Sequence, residues 1–455
     1  MAISKLHVEG RHIKDAIGRT VYLRGVNQAG SIDNPNGWWN PEGGTVYSGL
    51  GVWSPDAVKY NLDNMKSWGC NVIRLHTSIQ WWVENTNNYR QHFRDIITWA
   101  GEREIYVIFD AFSITGSMQY ELPWGSYIPA EQQAIMPSEQ AFVDYWVTVA
   151  NELKDSSNVI FELYNEPHGD DTARDAWFRV VQQCIDTIRG VGANQIIIVQ
   201  WDYGAWVNLD YPPPDPHNPD EYPCSTLSWV EDYPLTDPTG NIAYSFHNYR
   251  GQIHRQNGAR VDSYTYADMK LGFETCLVDY VLNTLNKPVI VGEVGADMWK
   301  TGDELTNELA YFNNTLTIFN EWNMSYVAWV WTIPAHMRWG LLQNEGAWLP
   351  PPNEAGEALI NAIAGVTPPE FVTPWTGELE EKTYRITMPQ TVLDGTDTYR
   401  FVEWQDGVTD RSRIIDLTAD VMITATYELA PPTSPVILIM APLTVGFILT
   451  IVGIT

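Results

Sequence analysis

Cysteine is scarce in this sequence, which has only four cysteines among 455 residues. They are Cys70, Cys184, Cys224 and Cys276. No two of them have the C-x-x-C spacing of a zinc or redox site, so the cysteines indicate neither metal nor redox chemistry. Cys70 precedes an apolar strand-like run and Cys184 lies in a helical pattern. We therefore expect buried free thiols rather than disulfides.

Basic residues are also few, because 27 Lys and Arg stand against 56 Asp and Glu, for a formal net charge of −29. Such a chain repels phosphate backbones, so the composition argues against a nucleic-acid partner and favours a neutral one. An acidic surface also suits a protein kept soluble outside the cell. Tryptophan, in contrast, is abundant at 21 residues. Its flat rings fill cores or stack on ligands such as sugars.

The first five residues lack the apolar segment of a secretory signal, so a signal has been removed or never existed. The other end is apolar: residues 436–455 form a run of twenty without a charge, long enough to span a hydrocarbon core of about 30 Å. This run predicts a C-terminal transmembrane helix that anchors the chain in a membrane. The alternatives are a tail cleaved during lipid anchoring and a truncated end.

Short apolar runs and helical patterns alternate along most of the chain. The eight strand-like runs are 21–26, 71–75, 105–109, 159–164, 196–200, 242–246, 289–291 and 326–331. They are typical of parallel strands buried on both faces. The helical patterns are 91–103, 139–153, 171–189, 268–285, 302–321 and 354–364, with another that begins at Ser54, a capping serine followed by Pro55.

Eight strand–helix units over about 365 residues predict an α/β fold, the (β/α)8 TIM barrel, spanning residues 1–366. A hairpin at 7–14 and 20–23 is expected to plug its bottom, and 211–239 to form a long loop. Residues 367–382 form a Pro-containing linker. Residues 383–430 predict a small all-β module, similar to the internalin B-repeat type, whose aromatic residues are assigned to core packing or a stalk, with glycan binding as the alternative.

Two of the apolar runs end in a glutamate. Asn165 and Glu166 follow the strand that begins at 159, and Glu293 lies between two glycines after the strand at 289–291. Because the strands of a TIM barrel present their C-terminal ends on one rim, both carboxyl groups are expected there. A pair of carboxyl groups, one acting as a proton donor, is the minimum for glycoside hydrolysis.

With these motifs in this order, residues 5–365 resemble glycoside hydrolase family 5, the cellulase family of retaining barrel hydrolases. The resemblance implies that Glu166 is the acid/base and Glu293 the nucleophile. It also implies that Arg74 orients the nucleophile and that Asn165 meets the sugar 2-hydroxyl. The remaining implied positions are His247 and Tyr249, which flank the two glutamates, and Trp329, which forms the platform at the cleavage subsite. No cofactor and no metal are expected, since the histidines show no ligand spacing.

One position departs from the family, which commonly has Asp-x-His after the third strand, where this chain has Asp110 and then Phe112. Phe112 cannot donate a hydrogen bond to a sugar, so substrate preference near the cleavage point is expected to differ. Trp38 and Trp39 are candidates for stacking on sugars, with lid packing as the alternative. Glu162 is expected to be a barrel-interior partner of Arg74, and Trp331 a core residue.

These residues predict a retaining endo-β-1,4-glucanase acting on β-linked polysaccharide or oligosaccharide by a two-glutamate mechanism. The alternatives are a β-mannanase or another β-glycanase of the same family, and a non-catalytic carbohydrate-binding barrel. We expect a monomer, located outside the cell and anchored at the cell surface.

Overall fold

The computed structural model describes residues 3–28, 53–113, 139–167, 171–201, 227–250, 265–334, 337–344 and 351–365, together with the isolated strands named below. Trp38, Trp39, Cys224 and the predicted linker at 367–382 lie outside the described residues. The chain divides into two units, Met1–Ile363 and Ala364–Thr455.

The first unit is built on a closed barrel of eight parallel strands, which neighbour one another in chain order. In that order the barrel strands are Arg24–Gln28, Val72–Ser78, Tyr106–Ser113, Val159–Glu162, Ile197–Gln200, Ile242–Tyr249, Val289–Gly295 and Ser325–Ala328. The predicted TIM barrel and all eight of its strands are confirmed. We refer to them below as the first to eighth barrel strands.

Helices lie between the strands. The α-helices are Pro55–Ser67, Ile79–Glu84, Tyr89–Glu102, Glu139–Leu153, Asp171–Gly190, Trp229–Asp232, Tyr266–Thr275, Gly302–Glu321 and Glu354–Ala364. Short turns of 3-10 and π helix occur at Thr86–Asn88 and Tyr280–Thr284, and the strands Val207–Asn208 and Ile253–His254 pair in parallel. Ser54 accepts a hydrogen bond from the Ala57 N–H, as its predicted capping role requires.

Two predictions about local structure are wrong in detail. The helix predicted at 268–285 ends at Thr275, and Leu277 has a left-handed backbone with φ of 64° that a continuous helix does not allow. The predicted loop at 211–239 contains the helix Trp229–Asp232. Trp229 and Val230 on this helix are buried in the apolar core, which explains why a short helix forms there.

The apolar core has one layer between the strands and the surrounding helices, and another inside the bottom of the barrel. In the inner layer, Ile108, Ile160 and Ile290 pack with Leu6 and Ile13 from the N-terminal hairpin. That hairpin pairs His7–Glu9 with His12–Lys14, both within the first predicted arm, and Thr20 of the second arm forms an isolated bridge with Lys14. The predicted arms 7–14 and 20–23 are thus corrected, while the hairpin packs inside the bottom of the barrel as expected. The barrel is therefore closed by apolar side chains at the N-terminal ends of its strands, which leaves the C-terminal ends for a site.

In the second unit, the strands Thr383–Thr387 and Ser412–Asp416 pair with each other. A separate antiparallel sheet has the order Thr391–Asp394, Asp397–Trp404, Thr424–Leu429, Pro435–Ala441 and Ile448–Val452. The internalin-like identity of 383–430 stays a prediction.

The transmembrane helix predicted at 436–455 is corrected by the two strands Pro435–Ala441 and Ile448–Val452, which pair with each other. Val436, Ile437 and Ile439 are β-branched residues, which favour strands, and Pro442 and Gly446 disfavour a continuous helix. Within the part of the chain that the structure describes, no helix has both the length and the apolar character needed to cross a membrane.

Candidate active site

Arg74 on the second barrel strand lies at the centre of the site and is completely buried. Its Nε donates to Glu162 Oε2 at 2.5 Å, which confirms the predicted pairing of these two residues. Its Nη1 donates to Glu293 Oε1 and its Nη2 to Asn165 Oδ1, both at 2.8 Å. Burial opposes the guanidinium charge, but the carboxyl groups of Asp110, Glu162 and Glu293 outweigh burial and raise the pKa of Arg74. Arg74 thus holds the ends of three strands in a fixed relation.

Glu293 on the seventh barrel strand has both carboxyl oxygens occupied by donors. Oε1 accepts from Arg74, and Oε2 accepts from the Tyr249 hydroxyl at 2.7 Å. Burial raises the pKa of Glu293 to about 7, while the charge of Arg74 and the hydrogen bonds from Tyr249 and Arg74 act in the opposite direction. The two donors fix the plane of this carboxyl group and stabilise its ionised form.

Glu166 follows the fourth barrel strand, and its side chain is 17% exposed against 7% for Glu293. Its backbone N–H donates to Gln200 Oε1 at 3.3 Å. Its φ of 47° lies in the left-handed region, which a glutamate seldom adopts. Strained backbone of this kind is concentrated at functional sites.

His247 on the sixth barrel strand lies between the two glutamates. Its Nδ1 is 2.7 Å from Glu166 Oε1 and 3.6 Å from Glu293 Oε2. Burial, with the charges of Arg74 and His76, lowers the pKa of His247 well below its ordinary value, so the ring is neutral and its Nδ1–H donates to Glu166. The ring also lies against Gly292, where a Cβ would come within 2.7 Å of Nε2. Only glycine fits at that position.

Carboxyl oxygens of Glu166 and Glu293 and the Nδ1 of His247 all lie within 4.8 Å of one another. Inverting glycosidases separate their two carboxyl groups by about 6.5–9.5 Å to admit a water molecule, whereas retaining ones hold them about 5–5.5 Å apart. The site therefore has the short separation typical of a retaining enzyme. The same three ligand atoms are also close enough to hold a cation, which the histidine spacing did not indicate.

An aromatic cluster lies beside this pair. Trp329, whose peptide bond to Val330 is cis, stacks on Phe112 with a centroid distance of 6.0 Å and an interplanar angle of 9°. Tyr249 and Trp339 pack on the same cluster. Trp331, in contrast, is 4% exposed in the main core, as predicted.

The structure brings together most of the predicted site residues, namely Arg74, Asn165, Glu166, His247, Tyr249 and Glu293, with Trp329 beside Tyr249. Sequence reasoning missed Asn27, His76, Asp110 and Trp339 as parts of the site. His76 could have been found, because it is two residues after Arg74 on a strand and so points to the same side. Trp339 lies beyond the last strand, where no motif indicates it.

Asn27 on the first barrel strand and His76 form a further layer of contacts. The Asn27 amide Nδ2 donates to the Gly292 carbonyl at 3.0 Å, and its Oδ1 accepts from Arg74 Nη1 at 3.1 Å. His76 is fully buried, with Nδ1 2.7 Å from Asp110 Oδ2 and Nε2 3.1 Å from Asn27 Oδ1. These contacts connect the third strand to the peptide that precedes Glu293.

Comparison with known proteins agrees with this geometry. The family model described as "Cellulase (glycosyl hydrolase family 5)" matches residues 31–334, more than half of the chain. Endoglucanase A of Butyrivibrio fibrisolvens is 29% identical over 258 residues, 55% of this chain and 47% of that protein. The mannan endo-1,4-beta-mannosidase of Cellvibrio japonicus (strain Ueda107) is 22% identical over 333 residues, 73% of this chain and 60% of that protein. The matches thus span about half to three-fifths of these relatives.

Among solved structures, the native form of a β-glucanase from Saccharophagus degradans superposes with a TM-score of 0.57. The match covers 80% of this chain and 94% of that one, at 21% sequence identity. At this level of identity the likeness supports the barrel fold.

Proposed function

The chain belongs to glycosyl hydrolase family 5, and from this we propose that its barrel is a retaining endo-β-1,4-glucanase. The observation that carries the proposal is the pair of carboxyl groups with oxygens within 4.8 Å, of which one is tied to Arg74 and Tyr249 and the other is more exposed beside His247. Different surroundings for two close carboxyl groups assign them different roles in acid/base chemistry.

In the first step, Glu293 attacks the anomeric carbon while Glu166 gives its proton to the leaving glycosidic oxygen. The product is a covalent glycosyl-enzyme in which Glu293 is an uncharged ester. In the second step, Glu166 takes a proton from a water molecule, which attacks the anomeric carbon and releases Glu293. The His247 Nδ1–H donates to Glu166 and so stabilises the ionised form that acts as the base.

Asn165 is the residue proposed to contact the sugar 2-hydroxyl. Its Oδ1 accepts from Arg74, so the Nδ2 on the opposite side of the amide is the donor directed away from the guanidinium. Glucose and mannose differ at carbon 2, so this contact bears on the choice between them. We propose glucan, since the endoglucanase relative has the higher identity, and keep mannan as the second candidate because the mannosidase relative matches more of the chain.

A substrate panel tests the proposal. Soluble β-1,4-glucan, mixed-linkage glucan, mannan and xylan are incubated with the full chain, with Glu293→Gln as the inactive control, and new reducing ends are measured. Release should be fastest from β-1,4-glucan. Faster release from mannan would reassign the substrate, and binding without release from any polymer would indicate a non-catalytic barrel.

A mechanism-based 2-fluoro-glycoside tests the roles of the two glutamates. The covalent label should appear on Glu293 alone, and Glu293→Gln should stay unlabelled. A label on another residue, or an initial product with inverted anomeric configuration, would contradict the assignment.

We also propose that the enzyme acts outside the cell as a monomer. Its formal net charge of −29 suits an extracellular protein, and polysaccharide chains are too large to cross a membrane. Cell fractionation and light scattering of the purified chain test location and oligomeric state.

A further inference from the structure

The side-chain amide of Asn27 can be oriented in only one way. Its Nδ2 lies 3.0, 3.2 and 3.3 Å from the carbonyl oxygens of Gly292, Val327 and Ala328, all of which only accept hydrogen bonds. Its Oδ1 accepts from Arg74 Nη1. A flipped amide would place its donor against the Arg74 guanidinium and its acceptor against three carbonyls. Asn27 Oδ1 is therefore an acceptor towards His76 as well.

Both ring nitrogens of His76 consequently face acceptors. Nε2 faces Asn27 Oδ1 at 3.1 Å, and Nδ1 faces Asp110 Oδ2 at 2.7 Å. A neutral imidazole carries only one N–H. If the proton is on Nδ1, the lone pair of Nε2 faces the lone pairs of the amide oxygen. If it is on Nε2, the lone pair of Nδ1 faces an ionised carboxylate.

One additional proton, on Nδ1 or on the Asp110 carboxyl group, satisfies both contacts at once. In the first case the pair is an imidazolium and a carboxylate; in the second it is a neutral imidazole and a carboxylic acid. The net charge of the pair is zero in either case.

We propose that His76 and Asp110 hold this additional proton at the pH of catalysis and act as a positioning pair, which fixes Asn27 and Arg74 against Glu293 and keeps Glu293 ionised. The proposal rests on the proposed role of Glu293 as the nucleophile. Neither residue of the pair is a catalytic group in this scheme.

The charges around the pair explain why its proton matters. Arg74 Nη2 is 3.1 Å from Asp110 Oδ2, and the same guanidinium contacts Glu162 and Glu293. With Glu162 protonated, the guanidinium would face two carboxylates, Asp110 and Glu293, if the pair lacked the additional proton. With that proton the pair is neutral, and the charge of Arg74 is balanced by Glu293 alone.

Two other titratable neighbours of the pair, within the described part of the chain, contribute little charge. His247 is neutral, and Tyr145 meets the pair through Thr77, whose hydroxyl donates to the Asp110 carbonyl. The rings of Phe112 and Trp329 contact the His76 ring edge-on. Burial raises the pKa of Asp110 to about 7 against the charge of Arg74, and burial lowers the pKa of His76, so the carboxyl group is the favoured position for the proton.

Nuclear magnetic resonance of the full-length wild-type chain, labelled with ¹⁵N-histidine, tests the proton count directly. The His76 ring is assigned by its proximity to Phe112 and Trp329. Its Nε2 should carry a proton from pH 5 to pH 8, with either Nδ1 or Asp110 also protonated. A ring with Nδ1 protonated and Nε2 bare would overturn the proposal, because that tautomer needs no additional proton.

The pH dependence of kcat/KM on a soluble glycan tests the consequence for Glu293. Asp110→Asn replaces the carboxyl group by an amide that carries no charge, so a pair that is already neutral should leave the acid limb where it is in the wild type. If Asp110 is ionised in the wild type, the substitution removes a negative charge near Glu293 and the acid limb should move down by about one pH unit, which would overturn the proposal. The control Thr77→Val removes the buried hydroxyl that donates to the Asp110 carbonyl without changing charge, and its acid limb should also match that of the wild type.

The two measurements separate this proposal from the proposed function. The proton count needs no activity, so it decides the proposal even if Asp110→Asn fails to fold. A chain that hydrolyses no glycan would refute the proposed function while leaving the proton count standing. An active chain whose Nε2 is bare would refute the positioning pair alone.

Discussion

Glu162→Gln is expected to change how the stability of the barrel depends on pH. Glu162 is 1% exposed on the fourth barrel strand, and its Oε2 accepts from Arg74 Nε. Its Oε1 is buried with no hydrogen-bond partner among the described residues. Burial raises the pKa of Glu162 to about 7, with the charge of Arg74 acting in the opposite direction. The folded state therefore holds a proton on Glu162 at pH values where the unfolded chain does not.

The size of the effect follows from the shift. The pKa of Glu162 rises from its ordinary value of 4.5 to about 7 on folding. At about 1.36 kcal/mol for each pKa unit, this shift contributes about 3 kcal/mol to the free energy of unfolding. Because the folded-state pKa is the higher one, this contribution is fully present below pH 4.5 and is lost as the pH rises through 7. A glutamine accepts the same hydrogen bond from Arg74 and does not titrate. As the pH rises from 4.5 to above 7, the free energy of unfolding of the wild type should therefore fall by about 3 kcal/mol more than that of the variant.

Urea unfolding followed by tryptophan fluorescence at several pH values between 4.5 and 8 measures this difference. Glu354→Gln is the matched control, because it removes a carboxyl group that is exposed at the start of the helix Glu354–Ala364. The free energy of unfolding of the control should change with pH in the same way as that of the wild type. Parallel curves for the wild type and Glu162→Gln would refute the reasoning, since Glu162 would then be ionised in the folded state across this range.

Two further predictions concern the site. Glu166→Gln should lower kcat/KM on polysaccharide by several orders of magnitude but slow glycosylation by an aryl glycoside with a good leaving group much less; equal losses would remove the acid role. Tyr249→Phe removes a 2.7 Å hydrogen bond to Glu293, which at about 1.5–3 kcal/mol should lower kcat/KM by about 10- to 150-fold, and an unchanged rate would contradict its proposed part.

Much of the fold could be predicted because its signals are local. Buried parallel strands are short apolar runs, and helices repeat apolar residues at helical spacing, so the helices Glu139–Leu153, Gly302–Glu321 and Glu354–Ala364 have their predicted bounds. The break at Leu277 could not be predicted, because nothing in the sequence indicates a left-handed leucine. In 436–455, hydropathy gives the length of an apolar run but not its conformation, and the β-branched residues favour strands.

The candidate site also contains residues that local sequence patterns predict and residues that they do not. Glu166 and Glu293 each follow an apolar strand within a short motif, and the topology of the barrel then brings them to one rim. The contacts of Asn27, His76 and Asp110 connect the first, second and third strands, far apart in sequence, to the peptide before Glu293. Their roles arise from contacts between strands, which no local pattern records.

Because Glu166 has a left-handed backbone, fold stability and the proposed activity favour different residues at this position. A glutamate with a φ of 47° destabilises the folded state, whereas glycine adopts this conformation without strain and asparagine tolerates it better than most residues. Selection for a longer-lived fold alone would therefore replace Glu166, and the chain would become more stable as it lost its proposed acid. An engineer who seeks a more thermostable form should accordingly leave this residue unchanged and seek stability at the hairpin that closes the opposite end of the barrel.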